Sequence, residues 1–151
     1  MIKDKTLIYN MKTATVTTDI NIGPFRIPSN AQNMIMNNYA SRNNLPVEVV
    51  IPEPIKSDQL ATTQWLYKDF KFSDVILCSI HQLPRKKVHL KNLIINMPKV
   101  SFHFAIEGLK GNGKDFLNNC HLESEYFNKA NIIDSKEMSW TKLFELMKKN
   151  K

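Results

Sequence analysis

The sequence predicts one α/β domain over 1–151: a small, mostly parallel sheet with helices on both faces, a three-layer sandwich of flavodoxin or Rossmann type. Three observations carry that expectation. Short runs rich in β-branched and apolar residues alternate with longer segments of helical period. Several strand-like runs, such as Val75-Ile76-Leu77-Cys78, are apolar throughout, as in a sheet covered on both sides. Polar residues with chemical potential follow the strand-like runs, where the ligand sites of such sheets lie.

Residues 6–10 and 14–20 are rich in Thr, Val and Ile and read as strands. Gly23-Pro24-Phe25 is a loop. Residues 29–44 read as a helix that buries Met34, Ile35, Tyr39 and Met36, ended by Pro46. A strand over 47–51 closes at Pro52-Glu53-Pro54. Ser57 or Asp58 caps a second helix through Leu60, Leu66, Tyr67 and Phe70. A strand over 75–80 leads to a third helix over 87–97, through Val88, Leu93, Ile94 and Met97. Residues 100–106 alternate, with Val100, Phe102, Phe104 and Ile106 on one side. Gly111-Asn112-Gly113 breaks the chain, and a last helix starts at Ser139 and buries Trp140, Leu143, Phe144 and Met147. Trp65 also sits within a helix that needs a core.

At 151 residues the chain buries enough surface to fold without a disulfide or metal. Cys78 and Cys120 have no metal-ligand spacing and read as buried reduced thiols. No apolar run reaches the ~18 residues of a membrane span, and Met1 is followed by no apolar signal core. The expectation is a cytoplasmic protein with no membrane partner and no cofactor, with homo-oligomerisation left open. The net charge is +7, concentrated in Arg85-Lys86-Lys87 with Lys91 and in the tail Lys148-Lys149-Lys151. That charge suits anionic partners. Without aromatic residues interleaved among the basic ones, it predicts only weak, sequence-independent association with nucleic acid.

Arg26-Ile27-Pro28-Ser29-Asn30-Ala31-Gln32 leads into the first helix. Ser29 and Gln32 form the S-x-x-Q capping pattern, and that helix start with Arg26 could bind phosphate or carboxylate. Glu53 follows the second predicted strand. His81, Gln82 and Arg85 follow the strand over 75–80: His suits proton transfer near neutral pH and Arg suits bidentate anion binding. Glu107 ends the next strand and could act as acid, base or hydroxyl acceptor. Each also has a plainer reading, as a cap, an exposed loop or a solvated strand end. His103, inside an apolar strand, reads as a hydrogen-bonded structural histidine. No Walker A loop, H-E-x-x-H or G-x-G-x-x-G occurs.

Taken together, Arg26-Ile-Pro-Ser-Asn-Ala-Gln32-Asn33, Asn38-Tyr39-Ala, Asp74-Val-Ile-Leu-Cys-Ser-Ile-His-Gln82-Leu83-Pro84 and Phe102-His103-Phe104-Ala-Ile-Glu107 resemble the sporadic carbohydrate cluster protein family over about residues 15–109. These are small bacterial proteins of surface-polysaccharide gene clusters. The resemblance implies a pathway rather than a reaction: surface-polysaccharide or unusual-sugar biosynthesis, with an anionic sugar or nucleotide sugar as ligand. The chain departs from that family where Ile20-Asn21-Ile22-Gly23-Pro24 stands in place of an Arg-Pro pair, and where Ser29 replaces Gln. Ser29-x-x-Gln32 and Gln82-Leu83-Pro84-Arg85 are also similar to a serine recombinase catalytic domain. That similarity implies Ser29 attacking phosphate with Arg26 and Arg85 clamping it. The Gly23-Pro24-Phe25 loop and Glu107 resemble nucleoside deoxyribosyltransferases, which implies Glu107 as a nucleophile on a sugar.

The functional expectation is a site at the carboxyl-terminal rim of the sheet for a sugar phosphate, nucleotide sugar or acidic sugar. His81 and Glu107 would carry protons, and Arg26, Ser29, Gln32, Glu53, Gln82 and Arg85 would hold the ligand. The alternatives are a non-enzymatic binding or scaffold protein using the same rim, and resolvase-like phosphoryl transfer on DNA.

Overall fold

The computed structural model describes residues 12–19, 21–22, 25–54 and 58–137. The expected strand over 6–10, Ser57, the basic tail and the helix starting at Ser139 with Trp140 lie outside the described residues. Five strands form one sheet in the order β4-β1-β5-β6-β7: β1 (Thr13–Thr17), β4 (Val47–Pro52), β5 (Asp74–Leu77), β6 (Ser101–Phe104) and β7 (Leu109–Gly111). The first four in that order are parallel, and β7 returns antiparallel along β6. A separate hairpin, β2 (Asn21–Ile22) with β3 (Phe25–Arg26), follows β1. Four helices complete the described fold: α1 (Ser29–Arg42), α2 (Ala61–Phe70), α3 (Lys87–Asn96) and α4 (Gly113–Glu137).

The sheet has a central strand with two different sides. Val75 and Leu77 of β5 join Ala14, Val16, Phe102 and Phe104 in a core cluster with Leu60, Leu90, Leu93 and Leu117 from the α2, α3 and α4 regions. Ile76 and Cys78 point the other way, against Met36, Tyr39 and Ala40 of α1. Successive residues of a strand face opposite sides, so an apolar run is what burial on both faces demands. Each fully buried aliphatic side chain here stabilises the fold by about 1.5–3 kcal/mol.

The chain runs from β1 through α1 to β4 on one side, then through α2 back past β1 to β5 on the other. The strand order therefore reverses between β1 and β5. That is the position at which doubly wound sheets open a crevice.

Several expectations need correction. Helix α1 buries Gln32, Met36, Tyr39 and Ala40, while Met34 is 73% exposed. Met36, Tyr39 and the partly buried Ile35 face the core as expected; only Met34 is misplaced, and the sequence did not show that the Gln32 amide takes a core position. Trp65 is 62% exposed and so lies outside the core. Val88 and Ile106 are likewise exposed. Sequence reading missed β7 and α4. Helix α4 carries only a thin apolar stripe, with Leu117, Cys120, His121 and Ser124 buried between many Asn and charged residues. Its start follows a tight approach: a Cβ on Gly111 would stand 2.6 Å from the Phe116 ring, which only glycine avoids. Cys78 and Cys120 are buried free thiols. Among the described residues, no helix is long and apolar enough to cross a membrane.

Candidate functional site

In chain order, Arg26, Ser29 and Gln32 follow β1 by way of the hairpin, Glu53 follows β4, His81, Gln82 and Arg85 follow β5, and Glu107 follows β6. Gln32 and Gln82 are the ones brought into direct contact. Both are 2% exposed. The Gln32 amide nitrogen donates to the carbonyls of Thr18, at 2.7 Å, and Ile27, at 2.8 Å. Its oxygen accepts from the Thr18 N–H at 3.1 Å and from Gln82 Nε2 at 2.8 Å. The Gln82 nitrogen also donates to Thr18 Oγ1, at 2.8 Å, and its oxygen accepts from the N–H groups of Cys78 and Ser79, at 2.6 and 3.1 Å. Each amide has two donor hydrogens and one oxygen with two lone pairs, so both side chains are saturated. They lock the turn after β5 to the turn after β1 and to the first turn of α1.

The lock continues to β6. Ser79 Oγ donates to Glu107 at 2.8 Å, and the other Glu107 oxygen accepts the Ile80 N–H at 2.8 Å. Ser79 Oγ also accepts from the His81 N–H at 3.3 Å. Ser79 and Gln82 thereby form a capping box on the one-turn 3₁₀ helix Ile80–Gln82. The S-x-x-Q cap expected at Ser29 and Gln32 is realised here instead. At α1 the N-cap position belongs to Pro28, with no side-chain cap bond, and Ser29 is the first helical residue, exposed. The cap reading of Ser29 is thus corrected: Gln32 turns inward to the β1 turn and is not available to reciprocate.

His81 is buried. Its Nδ1 lies 2.9 Å from Ser124 Oγ, and its ring packs on Phe127 with centroids 4.6 Å apart. Burial holds its pKa below the ordinary value of 6.5, with the nearby Glu107 charge acting in the opposite sense. Glu53 is also buried. Its carboxylate accepts the N–H groups of Thr62 and Thr63 and the Thr63 hydroxyl, at 3.3, 2.8 and 2.8 Å. It therefore caps α2, whose N-cap residue Leu60 sits in the left-handed region without a side-chain cap. The expected cap at Asp58 is corrected in turn: Asp58 accepts the Arg85 N–H. The Arg85 carbonyl accepts from His121 Nε2 at 2.7 Å, and the Arg85 residue is exposed. Arg26, on the hairpin, pairs with Asp19. Among the described residues, no hydrogen bond ties Arg26 or Arg85 to the glutamine lock.

What remains presented at the rim is the start of α1. The Gln32 N–H makes the first bond back to the Pro28 carbonyl at 3.0 Å. The N–H groups of Ser29, Asn30 and Ala31 precede it, with no acidic residue in the first turn. Uncapped N–H groups with the positive end of the helix dipole favour an anion; Ser29 is exposed there, and exposed Arg26, paired with Asp19, lies three residues earlier in the chain.

A second polar chain, found by no sequence signal beyond His103 itself, links α1 to the inner strands β6 and β5. Tyr39 Oη is 2.9 Å from His103 Nδ1, and His103 Nε2 is 2.8 Å from Asp74 Oδ1. A carboxylate only accepts, so His103 Nε2 carries the proton and donates to Asp74. His103 is the structural histidine expected. Among the described residues, no cluster of three or more His, Cys, Asp or Glu could hold a metal ion.

Sheet order and helices together give the chain an α/β fold that is also seen in a solved catalytic domain. The chain is similar to the N-terminal catalytic domain of TP901-1 integrase, with a TM-score of 0.55 over 83% of this chain and 97% of that one. Identity is 14%, so the likeness is one of fold. No family model matches the chain, and no curated protein does. The similarity to sporadic carbohydrate cluster proteins therefore rests on the motifs alone.

Proposed function

We propose that the protein binds an anionic ligand, bearing phosphate or carboxylate, at the start of α1 beside the β1–β5 reversal of the sheet. The observation that carries this reading is the uncapped first turn of α1, with Ser29 exposed and Arg26 three residues before it in the chain. The Gln32–Gln82 lock supports it by fixing that turn against two strand ends, so the N–H groups are held in place before a ligand arrives. Sugar phosphates, nucleotide sugars and acidic sugars are the ligand class the sequence resemblance favours. A flavodoxin-like layered arrangement, one helix opposite three, is the matching fold reading.

A binding or scaffold role is favoured over proton transfer. Glu107 spends both carboxylate oxygens on Ser79 and Ile80, and the His81 Nδ1 is engaged with Ser124. Resolvase-like phosphoryl transfer is a second reading, favoured by the exposed Ser29 hydroxyl and by the fold. In it Ser29 Oγ forms a bond to phosphorus as one P–O bond of the DNA backbone breaks, and the serine proton ends on the departing DNA oxygen, which leaves as a hydroxyl. Leu83, next to Gln82, is 2% exposed and apolar, so the strand-end loop adds only Arg85 as a cation before Lys86.

The test is the thermal midpoint with pyrophosphate, glucose 1-phosphate, UDP-glucose or duplex DNA, for wild type and Arg26→Ala. A ligand at about 100 times its Kd stabilises by about 2.7 kcal/mol, a shift of several degrees at this size. The expected result is a shift with the phosphate-bearing small molecules that Arg26→Ala diminishes. No shift with any of them, or an equal shift in the variant, overturns the reading. Cleavage of DNA dependent on Ser29 would replace it with the second.

A further inference from the structure

Trp65 projects from α2 with 62% of its surface exposed. An indole is the largest apolar side chain and is normally mostly buried. It borders a groove of about 310 Å³ between α2 and α3, at the low end of the size range of small-ligand sites. The other polar walls are Gln59, Gln64, Lys68, His89, Asn92 and Asn96. Four of these six carry side-chain amides, and no carboxylate lines the groove.

The amide wall is pre-set. Asn96 Nδ2 donates to Gln64 Oε1 at 2.7 Å across the two helices, and Gln64 Nε2 donates to the Gln59 carbonyl at 2.8 Å. Gln64 is thereby committed to the protein. Among the described residues, the Asn92 amide, the Gln59 side chain and the Asn96 side-chain oxygen have no protein hydrogen bond.

We propose that this groove is a binding site for a neutral sugar ring, stacked on Trp65 and read by Asn92, Asn96 and Gln59. The chemistry of the lining selects that class. One face of a pyranose is a row of C–H groups, and it packs on an indole as any flat apolar surface does. Its hydroxyls both donate and accept, and a side-chain amide offers one group of each kind. A multiply charged ligand would want more cations than Lys68. Such a ligand is better matched by a different groove of about 610 Å³ between α3 and α4, lined by Lys87, Lys91 and Lys114. The site is separate from the start of α1, and neither proposal depends on the other.

The test is isothermal titration calorimetry of the full chain with methyl glucoside, N-acetylglucosamine, maltotriose, cellotriose and chitotriose, and with adenosine and uridine as controls. At least one saccharide should bind saturably. Trp65→Ala should weaken it about tenfold or more, Asn92→Ala by a smaller factor, and Trp65→Phe should keep part of the affinity. Trp65 is exposed, so these variants should fold, which circular dichroism checks. The proposal is overturned if no saccharide gives Trp65-dependent heat. It is equally overturned if the nucleosides bind through Trp65 and the saccharides do not, or if Trp65→Ala changes only self-association.

Discussion

Gln82 Nε2 donates to Gln32 Oε1 at 2.8 Å, and through that single contact the loop after β5 is tied to the first turn of α1. The two amides share Thr18 as a common partner, one through its backbone and the other through its hydroxyl. Three chain segments thus meet in a buried cluster in which both amides are fully paired. Such clusters stabilise when complete and are costly when one member is lost.

Replacing Gln82 tests that view. Gln82→Ala strips the buried N–H groups of Cys78 and Ser79 of their acceptor, at about 1–3 kcal/mol for each group left unpaired. Urea unfolding should show a loss of about 3 kcal/mol. Gln82→Glu should be at least as damaging at neutral pH, because a carboxylate cannot donate to Gln32. A double-mutant cycle with Gln32→Ala should return a coupling of about 1–2 kcal/mol. Additive losses would mean the two amides act independently.

Ser29 makes the opposite prediction. It is exposed and makes no cap bond, so Ser29→Ala should change stability by less than about 0.5 kcal/mol. A true N-cap serine would lose about 1 kcal/mol. The same variant serves the functional question, since a stable protein that loses an activity by orders of magnitude would mark Ser29 as a nucleophile.

Glu53 is expected to behave as the missing cap of α2. Glu53→Ala should destabilise by about 2 kcal/mol, the upper end for cap losses, because the site is buried. Glu53→Gln keeps an acceptor for Thr63 but loses the charge that favours a helix start, and should lie between. Equal stability of all three proteins in thermal unfolding would show that α2 needs no acceptor from β4.

The four parallel strands of the sheet were legible, the central one because burial on both faces writes itself as an unbroken apolar run, as in Val75 to Cys78. The rim position of the candidate residues followed from those strands. Their partners were not legible. The S-x-x-Q pattern occurs twice, at Ser29 and at Ser79, and nothing local shows that the second is the box while the first lends its glutamine to the β1 turn. Both glutamines look like surface residues until the fold brings Thr18 between them. Helix α4 was missed for a related reason: His121 and Ser124 are buried by polar contacts with Arg85 and His81, so hydropathy does not mark its inner face. Trp65 was read as lying within a helix that needs a core, which carries no information about which side of that helix faces water.

The thiols should be quiet in the folded protein. Burial pushes Cys78 and Cys120 up to about 11, with Glu107 and Glu123 respectively the next contributors. Little thiolate then exists at pH 8, and access is blocked as well. A disulfide reagent should label both cysteines in denaturant and neither appreciably in native buffer. Fast native labelling of Cys78 would show that the β5 end opens readily.

Two groups make stability depend on pH in the same direction. His81 has a folded pKa below 6.5 because burial opposes its charged form. Below 6.5 the unfolded chain therefore binds the proton more readily than the folded one, and stability falls as pH drops through the folded value. Asp74 is held below its ordinary 3.8, first by the hydrogen bond from His103. Its contribution is present above 3.8 and is lost as pH falls through the lower folded value. Urea unfolding from pH 7 to pH 3 should thus show two separate declines. His81→Gln should flatten the decline below pH 6.5 and leave the acid one, while Asp74→Asn should weaken the acid decline at the expense of stability at pH 7. If His81→Gln leaves the upper decline unchanged, some other group titrates there and the buried imidazole is not its source.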